Sequence, residues 1–371
     1  MHIADVTMFY TPSSGGVRTY LEAKRRWLSG REAHTLIVPG ARRQRTEPVQ
    51  TVPAPTIPFG HGYRFPLRTD GWVESLVALR PDLIEVGDPY VTAWAALDAG
   101  RRLGVPVVGF YHSDLPRLIG SRIGRWSEPR VEAYVRGLYR RFDLVLAPSR
   151  VMVEKLRGLG IGRVELQPLG VDSVHFSPGR RDPALKREMG LDAGTPLLVF
   201  AGRASREKHI PLLLEVMERL GRGYHLLLVG PGMPRRVPGN VTVVPEYANR
   251  ERTARYLASS DALLHAGDSE TFGLVVLEAM ASGIPVIGTR AGAVAEHVVP
   301  GTGLLVEPGR AAALAEAARA LFANGHRGMG RLARRRVEEY YTWDRVLERL
   351  LDRYRELAGQ PAPVTLERRI A

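Results

Sequence analysis

Two carboxylates, Glu270 and Glu278, stand eight residues apart in a stretch that begins Ser269-Glu270-Thr271-Phe272-Gly273-Leu274. The apolar run Ala262-Leu263-Leu264-His265 precedes it, and a helical pattern containing Glu278 follows. Both side chains therefore belong to one strand-to-helix transition. Carboxylates accept hydrogen bonds from hydroxyl groups, so the pair suits a sugar ring and a ribose, while the N–H groups at the helix start suit polar or anionic atoms. The plainer reading makes Glu270 a partner of the helix dipole and Glu278 a solvated helix residue.

Positive charge gathers at another strand end. Gly202-Arg203 closes the apolar run from Pro196 to Ala201, and Lys208 follows the loop Ala204-Ser205-Arg206-Glu207. An arginine can hold two oxygens at once and a lysine supplies a compact charge, a combination that fits a diphosphate. A solvated basic loop is the alternative. Gly15-Gly16 lies between a first strand and its helix, where backbone N–H groups and the helix dipole favour an anion, or where an ordinary turn needs glycine. His112 ends the run from Val105 to Tyr111 and stands either to hydrogen-bond a substrate and move protons or to serve the structure. With no cysteine and no Asp-x-Asp, His-x-x-x-His or clustered acidic motif, no metal centre is expected.

A third kind of pattern runs from Leu118 to Arg141. It mixes Leu118, Ile119, Ile123, Trp126, Tyr134 and Tyr139 with seven arginines counted from Arg117 and two glutamates. Basic amphipathic stretches lie on anionic membrane surfaces, which makes Arg117, Arg122, Arg125 and Trp126 candidates for membrane or acceptor contact. The competing reading is the Arg-rich solvent face of a packed helix.

The elements that must position these residues alternate. A strand from His2 to Phe9, the turn Pro12-Ser13-Ser14-Gly15-Gly16 and a helix from Val17 to Ser29 come first, with strands at Thr35 to Val38, Leu83 to Val86, Val105 to Tyr111 and Leu144 to Ala147. Alternation of this kind implies a parallel sheet with helices on its faces. The pattern restarts at Pro196 to Ala201 and continues through Tyr224 to Val229, Val241 to Val244, Ala262 to His265, Pro285 to Gly288 and Gly303 to Val306. At 371 residues, two domains are the natural division. The expected limits are 1–172 for the first α/β domain, 173–342 for the second, 343–358 for a helix crossing back to the first, and 359–371 for a tail. In open α/β sheets ligands bind beyond the carboxyl ends of the strands, so the site is expected in a cleft between the two.

The formal net charge of +13 comes almost entirely from arginine, since lysine occurs only at Lys24, Lys155, Lys186 and Lys208. Neither an interleaved aromatic and basic motif nor a helix-turn-helix signal accompanies that charge, so nucleic acid is not an expected partner. The N-terminus carries Asp5 inside a short apolar stretch, which is wrong for a signal peptide, and no apolar run reaches about 18 residues. A cytoplasmic protein, peripheral on the inner membrane face, is the expectation.

Together the motifs resemble the large GT4 family of retaining glycosyltransferases with the GT-B fold, two Rossmann-like doubly wound domains facing across a cleft. The resemblance rests on Gly15-Gly16-Val17, Phe110-Tyr111-His112-Ser113-Asp114, Pro168-Leu169-Gly170-Val171-Asp172, Gly202-Arg203 with Glu207-Lys208, and the Glu-x₇-Glu stretch followed by Ala279-Met280-Ala281-Ser282-Gly283. It implies that Arg203 and Lys208 bind the diphosphate of a nucleotide-sugar donor, that Glu278 binds the ribose, and that Glu270 with Thr271 and the backbone of Phe272, Gly273 and Leu274 binds the transferred sugar. Gly15 and Gly16 would approach the phosphate and His112 would line the sugar pocket. Val229-Gly230-Pro231-Gly232 and Pro245-Glu246-Tyr247 sit where the family holds the nucleobase, making Gly230 and Tyr247 donor-binding candidates.

The Tyr111-His112-Ser113-Asp114-Leu115-Pro116 segment resembles most a subgroup using GDP-mannose or UDP-hexose donors on lipid-linked acceptors. The implied activity is transfer of a hexose, mannose favoured, to a lipid or glycan acceptor, without metal or other cofactor. A nucleotide-sugar epimerase on the same architecture, or a non-catalytic nucleotide- or membrane-binding module, are the competing readings.

Overall fold

The computed structural model describes residues 1–11, 14–56, 62–246 and 249–359. The chain forms two compact units, one made of Met1–Pro168 with the segment that begins at Trp343, the other of Leu169–Thr342. The division falls at Pro168 and not at 172. The Val171 N–H donates to the Tyr341 carbonyl at 2.8 Å and Val171 bridges Thr342, which ties the residues after Pro168 into the second unit.

Eight strands make the first unit's sheet: β1 (His2–Val6), β2 (Ala33–Gly40), β3 (Gln44–Thr46), β4 (Val49–Pro53), β5 (Leu83–Val86), β6 (Val107–Phe110), β7 (Leu144–Ala147) and β8 (Val164–Leu166). Their order is β3-β4-β2-β1-β5-β6-β7-β8, and all pairs are parallel except β3 with β4. Strands β5, β6 and β7 are buried throughout, so they read as apolar runs. The sheet edges were not legible in that way: Gln44-Arg45-Thr46 is wholly exposed and polar, and β8 is three residues long. The core beneath the sheet includes Val6, Ile37, Trp72, Ile84, Val145 and Leu156. The helix Trp343–Leu357 buries Val346, Leu347, Leu350, Leu351 and Tyr354, a stripe at helical spacing that packs on the helix Gly16–Leu28 of this same unit.

The amphipathic stretch read as continuous from Leu118 to Arg141 is three elements. A helix Leu115–Ile123, a single 3₁₀ turn Arg125–Ser127 and a helix Glu128–Tyr139 are separated at Gly124, whose φ of 117° no helix accommodates.

The second unit has a six-stranded parallel sheet of β9 (Leu197–Ala201), β10 (His225–Val229), β11 (Val241–Val244), β12 (Ala262–His265), β13 (Val286–Thr289) and β14 (Gly303–Val306), in the order β11-β10-β9-β12-β13-β14. Leu198, Phe200, Leu213, Leu228, Leu264 and Ile287 fill its core. In each unit the strand order reverses once, between β1 and β5 in the first and between β9 and β12 in the second. At such a reversal the connections leave in opposite directions and open a crevice at the carboxyl ends of the two strands.

Candidate functional site

The reversal between β9 and β12 sets the second unit's candidates side by side. Beyond β9 the chain turns through Gly202 and Arg203 to a 3₁₀ turn, Arg206–Lys208; beyond β12 it runs through Ala266 to Gly273 before the helix Leu274–Ala281 begins. Lys208 Nζ donates to Glu270 Oε1, and the same oxygen is 3.0 Å from His265 Nε2. His265 closes β12 and is fully buried. Burial alone would raise the Glu270 carboxyl, but the Lys208 charge and the His265 hydrogen bond hold it well below the usual carboxylate range. Glu270 is therefore an anion at neutral pH, held through one oxygen, with the other oxygen available to a ligand hydroxyl.

Arg203 is exposed and has no carboxylate partner among the described residues. Glu278 lies one turn into the Leu274–Ala281 helix, half-buried, and also makes no side-chain hydrogen bond among the described residues. Burial pushes its carboxyl up to about 7, with Arg250 opposing. The helix start carries no side-chain cap on Gly273, so its first N–H groups point outward with the positive end of the helix dipole.

Two further segments fix this turn. A Cβ on Gly292, whose φ is 54°, would stand 2.8 Å from the Glu270 carbonyl oxygen, and the Ala293 N–H donates to that carbonyl at 3.0 Å. The buried His297 Nε2–H donates to the Phe272 carbonyl at 2.6 Å, and burial pushes that imidazole down to about 4, leaving it neutral. Gly230 approaches the β9 turn as closely: a Cβ there would meet the Gly202 carbonyl oxygen at 2.1 Å. Tyr247 lies outside the described residues. His265, Gly292 and His297 were not anticipated from sequence; the signal available was a histidine ending an apolar strand directly before the Ser269–Leu274 stretch.

In the first unit, Gly15 precedes the helix Gly16–Leu28 with no side-chain cap, and a Cβ on Gly15 would have nothing within 4 Å. Open space and uncapped N–H groups are what an approaching phosphate needs. His112 stacks on Phe110 at 4.1 Å and touches the Tyr20 ring at 5.1 Å. Burial, with Lys24 nearby, pushes it down to about 3, so it is a neutral imidazole that hydrogen-bonds without carrying charge.

Beneath Tyr20 lies a buried charged cluster that the sequence reading missed. Lys24 Nζ reaches Asp5 at 2.7 Å, Glu85 at 3.1 Å and the Tyr354 hydroxyl at 3.0 Å; Tyr20 and Tyr354 both donate to Glu85, and His34 pairs with Asp5 at 2.8 Å. Burial and Asp5 push Glu85 up, whereas Lys24 and His34 overcome burial to hold Asp5 down.

Arg117, Arg122, Arg125 and Trp126 are all exposed, Trp126 by 66%, beside an exposed Ile123. Among the described residues no helix is long and apolar enough to cross a membrane, and no group of three or more His, Asp or Glu is arranged to hold a metal ion.

Family models describing Glycosyltransferase Family 4 and Glycosyl transferases group 1 match residues 14–174 and 195–324. The GDP-mannose-dependent alpha-(1-6)-phosphatidylinositol dimannoside mannosyltransferase of Mycobacterium tuberculosis is 32% identical over 369 residues, covering 95% of each chain. The chain belongs to glycosyltransferase family 4. A GDP-mannose-dependent alpha-mannosyltransferase of Mycolicibacterium smegmatis is 35% identical over 285 residues, 76% of this glycosyltransferase and 75% of the relative. Among solved structures, the sucrose-phosphate synthase of Thermosynechococcus elongatus superposes with a TM-score of 0.81 at 23% identity, over 97% of this chain and 99% of that one, which is the GT-B fold. Membership decides for a glycosyltransferase over an epimerase or a non-catalytic module.

Within the glycosyltransferase, Arg203, Lys208, Glu270, Thr271, Phe272, Gly273 and Gly230 belong to the second unit's segments following β9, β10 and β12, Leu274 and Glu278 to the helix after β12, and Lys208 touches Glu270 directly. Gly15, Gly16 and His112 belong to the first unit, where Tyr20 links the glycine-led helix to His112.

Proposed function

We propose that this glycosyltransferase moves a hexose, mannose in the first place, from a GDP- or UDP-linked donor to a lipid or glycan acceptor, with retention at the anomeric carbon and without a metal. The observation that carries the reading is the Lys208–Glu270–His265 constellation at the β9/β12 reversal, with exposed Arg203 on the same side. As the anomeric bond breaks, negative charge grows on the leaving diphosphate, and Arg203 and Lys208 stabilise it in place of a metal. The neutralising demand on Lys208 passes from Glu270 to the phosphate. Glu270 then accepts from the sugar's hydroxyls through its free oxygen, and Glu278 accepts from the ribose. In a front-face path the acceptor oxygen bonds to the anomeric carbon as the phosphate leaves, and its proton goes to the departing phosphate oxygen.

Both mannosyltransferase relatives favour GDP-mannose, and the phosphatidylinositol dimannoside mannosyltransferase favours a lipid acceptor. Exposed Arg117, Arg122, Arg125 and Trp126 support a peripheral place on the anionic inner membrane face. Thermal stabilisation by a panel of GDP, UDP and ADP sugars tests the donor, because only a ligand that prefers the folded chain raises the transition. Acceptor-dependent release of nucleoside diphosphate with an α-linked product supports the reading. A donor epimerised in the absence of any acceptor would defeat it.

A further inference from the structure

In the second unit, at the carboxyl end of the Leu274–Ala281 helix, lies a cavity of about 240 Å³ whose charged lining is Arg181, Asp261, His326, Arg327, Arg331 and Arg334. It shares no residue with the Arg203 and Lys208 set. Its single carboxylate is already saturated. Asp261 takes Arg181 at 3.2 Å, Lys186 at 2.8 Å and the Leu197 N–H at 3.0 Å, with His326 at 3.8 Å. Arg334 is committed as well, donating to the carbonyls of Ser173, Phe176 and Ala281 and pairing with Glu338 at 2.7 Å.

Arg327 and Arg331 remain. They stand one turn apart on the helix His326–Tyr340, both exposed, and neither has a carboxylate partner among the described residues. Like charges four residues apart on a helix repel each other. Their placement is nonetheless fixed, because Gly330 lies against the chain after the Leu274–Ala281 helix so closely that a Cβ would meet the Gly283 carbonyl oxygen at 2.0 Å. A closely packed helix thus presents at the cavity two guanidinium groups with no carboxylate partner among the described residues, while the other cations there are spoken for. The cavity is smaller than the roughly 300–1,000 Å³ of a drug-sized site, and paired guanidinium forks match the oxygens of a phosphate.

We propose that this cavity binds a phosphate group between Arg327 and Arg331, a second anion site of the glycosyltransferase. The phosphate comes either from a small soluble phosphomonoester or from a phospholipid headgroup, and one experiment separates them. The full chain is titrated calorimetrically with inorganic phosphate, and floated with vesicles of phosphatidylglycerol or of phosphatidylcholine. The same is done with the Arg327→Ala/Arg331→Ala double variant and with Lys208→Ala. Both altered arginines are exposed, so the double variant folds, as an unchanged melting transition verifies. Phosphate affinity at least tenfold weaker in the double variant, and kept in Lys208→Ala, supports a soluble ligand. Lower recovery on phosphatidylglycerol alone, with phosphate binding unaltered, assigns the headgroup. If the double variant matches the wild type in both arms, or if phosphate binding disappears with Lys208→Ala instead, the proposal is wrong, whatever the donor assays show.

Discussion

Lys208 Nζ donates to the Glu270 carboxylate oxygen, so the cation proposed for the donor's diphosphate and the anion proposed for its sugar hold each other. Removing either disables both. Lys208→Ala and Glu270→Ala are each expected to lower kcat at least about 100-fold, the scale of losing an electrostatic contact made in the transition state. Because the two act as a unit, the double variant should fall little further than the worse single one. Initial rates of nucleoside diphosphate release check this; near-normal rates in both singles would remove the pair from the site.

His265 touches Glu270, which makes it a positioning residue in the proposed reaction. Without its 3.0 Å contact the carboxylate keeps its charge through Lys208 but loses its orientation. His265→Ala should cost about tenfold in kcat, an estimate for a misplaced group, and His265→Gln, which retains a donor, should recover part of it. A purely structural role predicts instead that both variants lose stability in proportion and that rates per folded molecule stay level.

Glu278 gives a pH dependence whose sign is fixed. Burial raises its folded-state carboxyl from 4.5 to about 7. Between those values the folded chain holds a proton that the unfolded chain has released, so the group lowers stability as pH rises through the window, with the full cost present above it. Glu278→Gln is neutral throughout. Its Tm should match the wild type near about pH 4.5 and exceed it by a few degrees at about pH 8. Donor affinity should move the other way: the wild type gains as pH passes 7 and a better acceptor for ribose hydroxyls forms, while the variant stays flat. Identical pH profiles for the two proteins would exclude Glu278 from the ribose.

The central strands and the two loops that bring Lys208 to Glu270 were legible in the sequence because parallel strands buried on both faces are apolar runs, and because Gly202-Arg203 begins where one such run stops and Ser269–Leu274 follows another after three residues. Edge strands were not, since Gln44-Arg45-Thr46 has no buried face to impose a pattern. The Asp5–Lys24–Glu85–Tyr354 cluster was also missed. Its hydrogen-bonded partners are separated by up to 330 residues along the chain, and local spacing carries no information across that distance. Two signs were present all the same: Asp5 and Glu85 each interrupt an otherwise apolar strand, and an acid in a strand covered on both faces requires a buried partner.

Gly292 tests how far the Glu270 backbone controls the chemistry. Its φ of 54° suits glycine, and an added Cβ would press on the Glu270 carbonyl oxygen from 2.8 Å. Gly309 has a φ of 76° with nothing within 4 Å of the same added atom. Both alanine variants therefore incur a left-handed backbone cost of about 1–2 kcal/mol, but only Gly292→Ala shifts the site. We expect the larger loss in Tm for Gly292→Ala, where the backbone clash adds to the left-handed cost, with kcat per folded molecule about tenfold lower for Gly292→Ala and unchanged for Gly309→Ala, the scale of a small misplacement. Equal rates in the two variants would mean that the Glu270 turn tolerates displacement.

Lys24 is the only described cation within hydrogen-bonding reach of both Asp5 and Glu85. Lys24→Met keeps the volume and removes the charge, leaving Asp5 with His34 and Glu85 with two tyrosine hydroxyls, both carboxylates buried. The expected loss is about 3–5 kcal/mol in denaturant unfolding, the scale of breaking a buried pair on one side. Tyr354→Phe removes one hydroxyl and should cost about 1–2 kcal/mol. Because Tyr20 bridges Glu85 and the His112 ring, the cluster also sets where His112 stands. Adding Glu85→Gln and Asp5→Asn to Lys24→Met should therefore restore most of the lost stability, since no ionised carboxylate then remains buried without its cation. A triple variant no more stable than Lys24→Met would show that packing around the lysine chain, and not its charge, is what the cluster contributes.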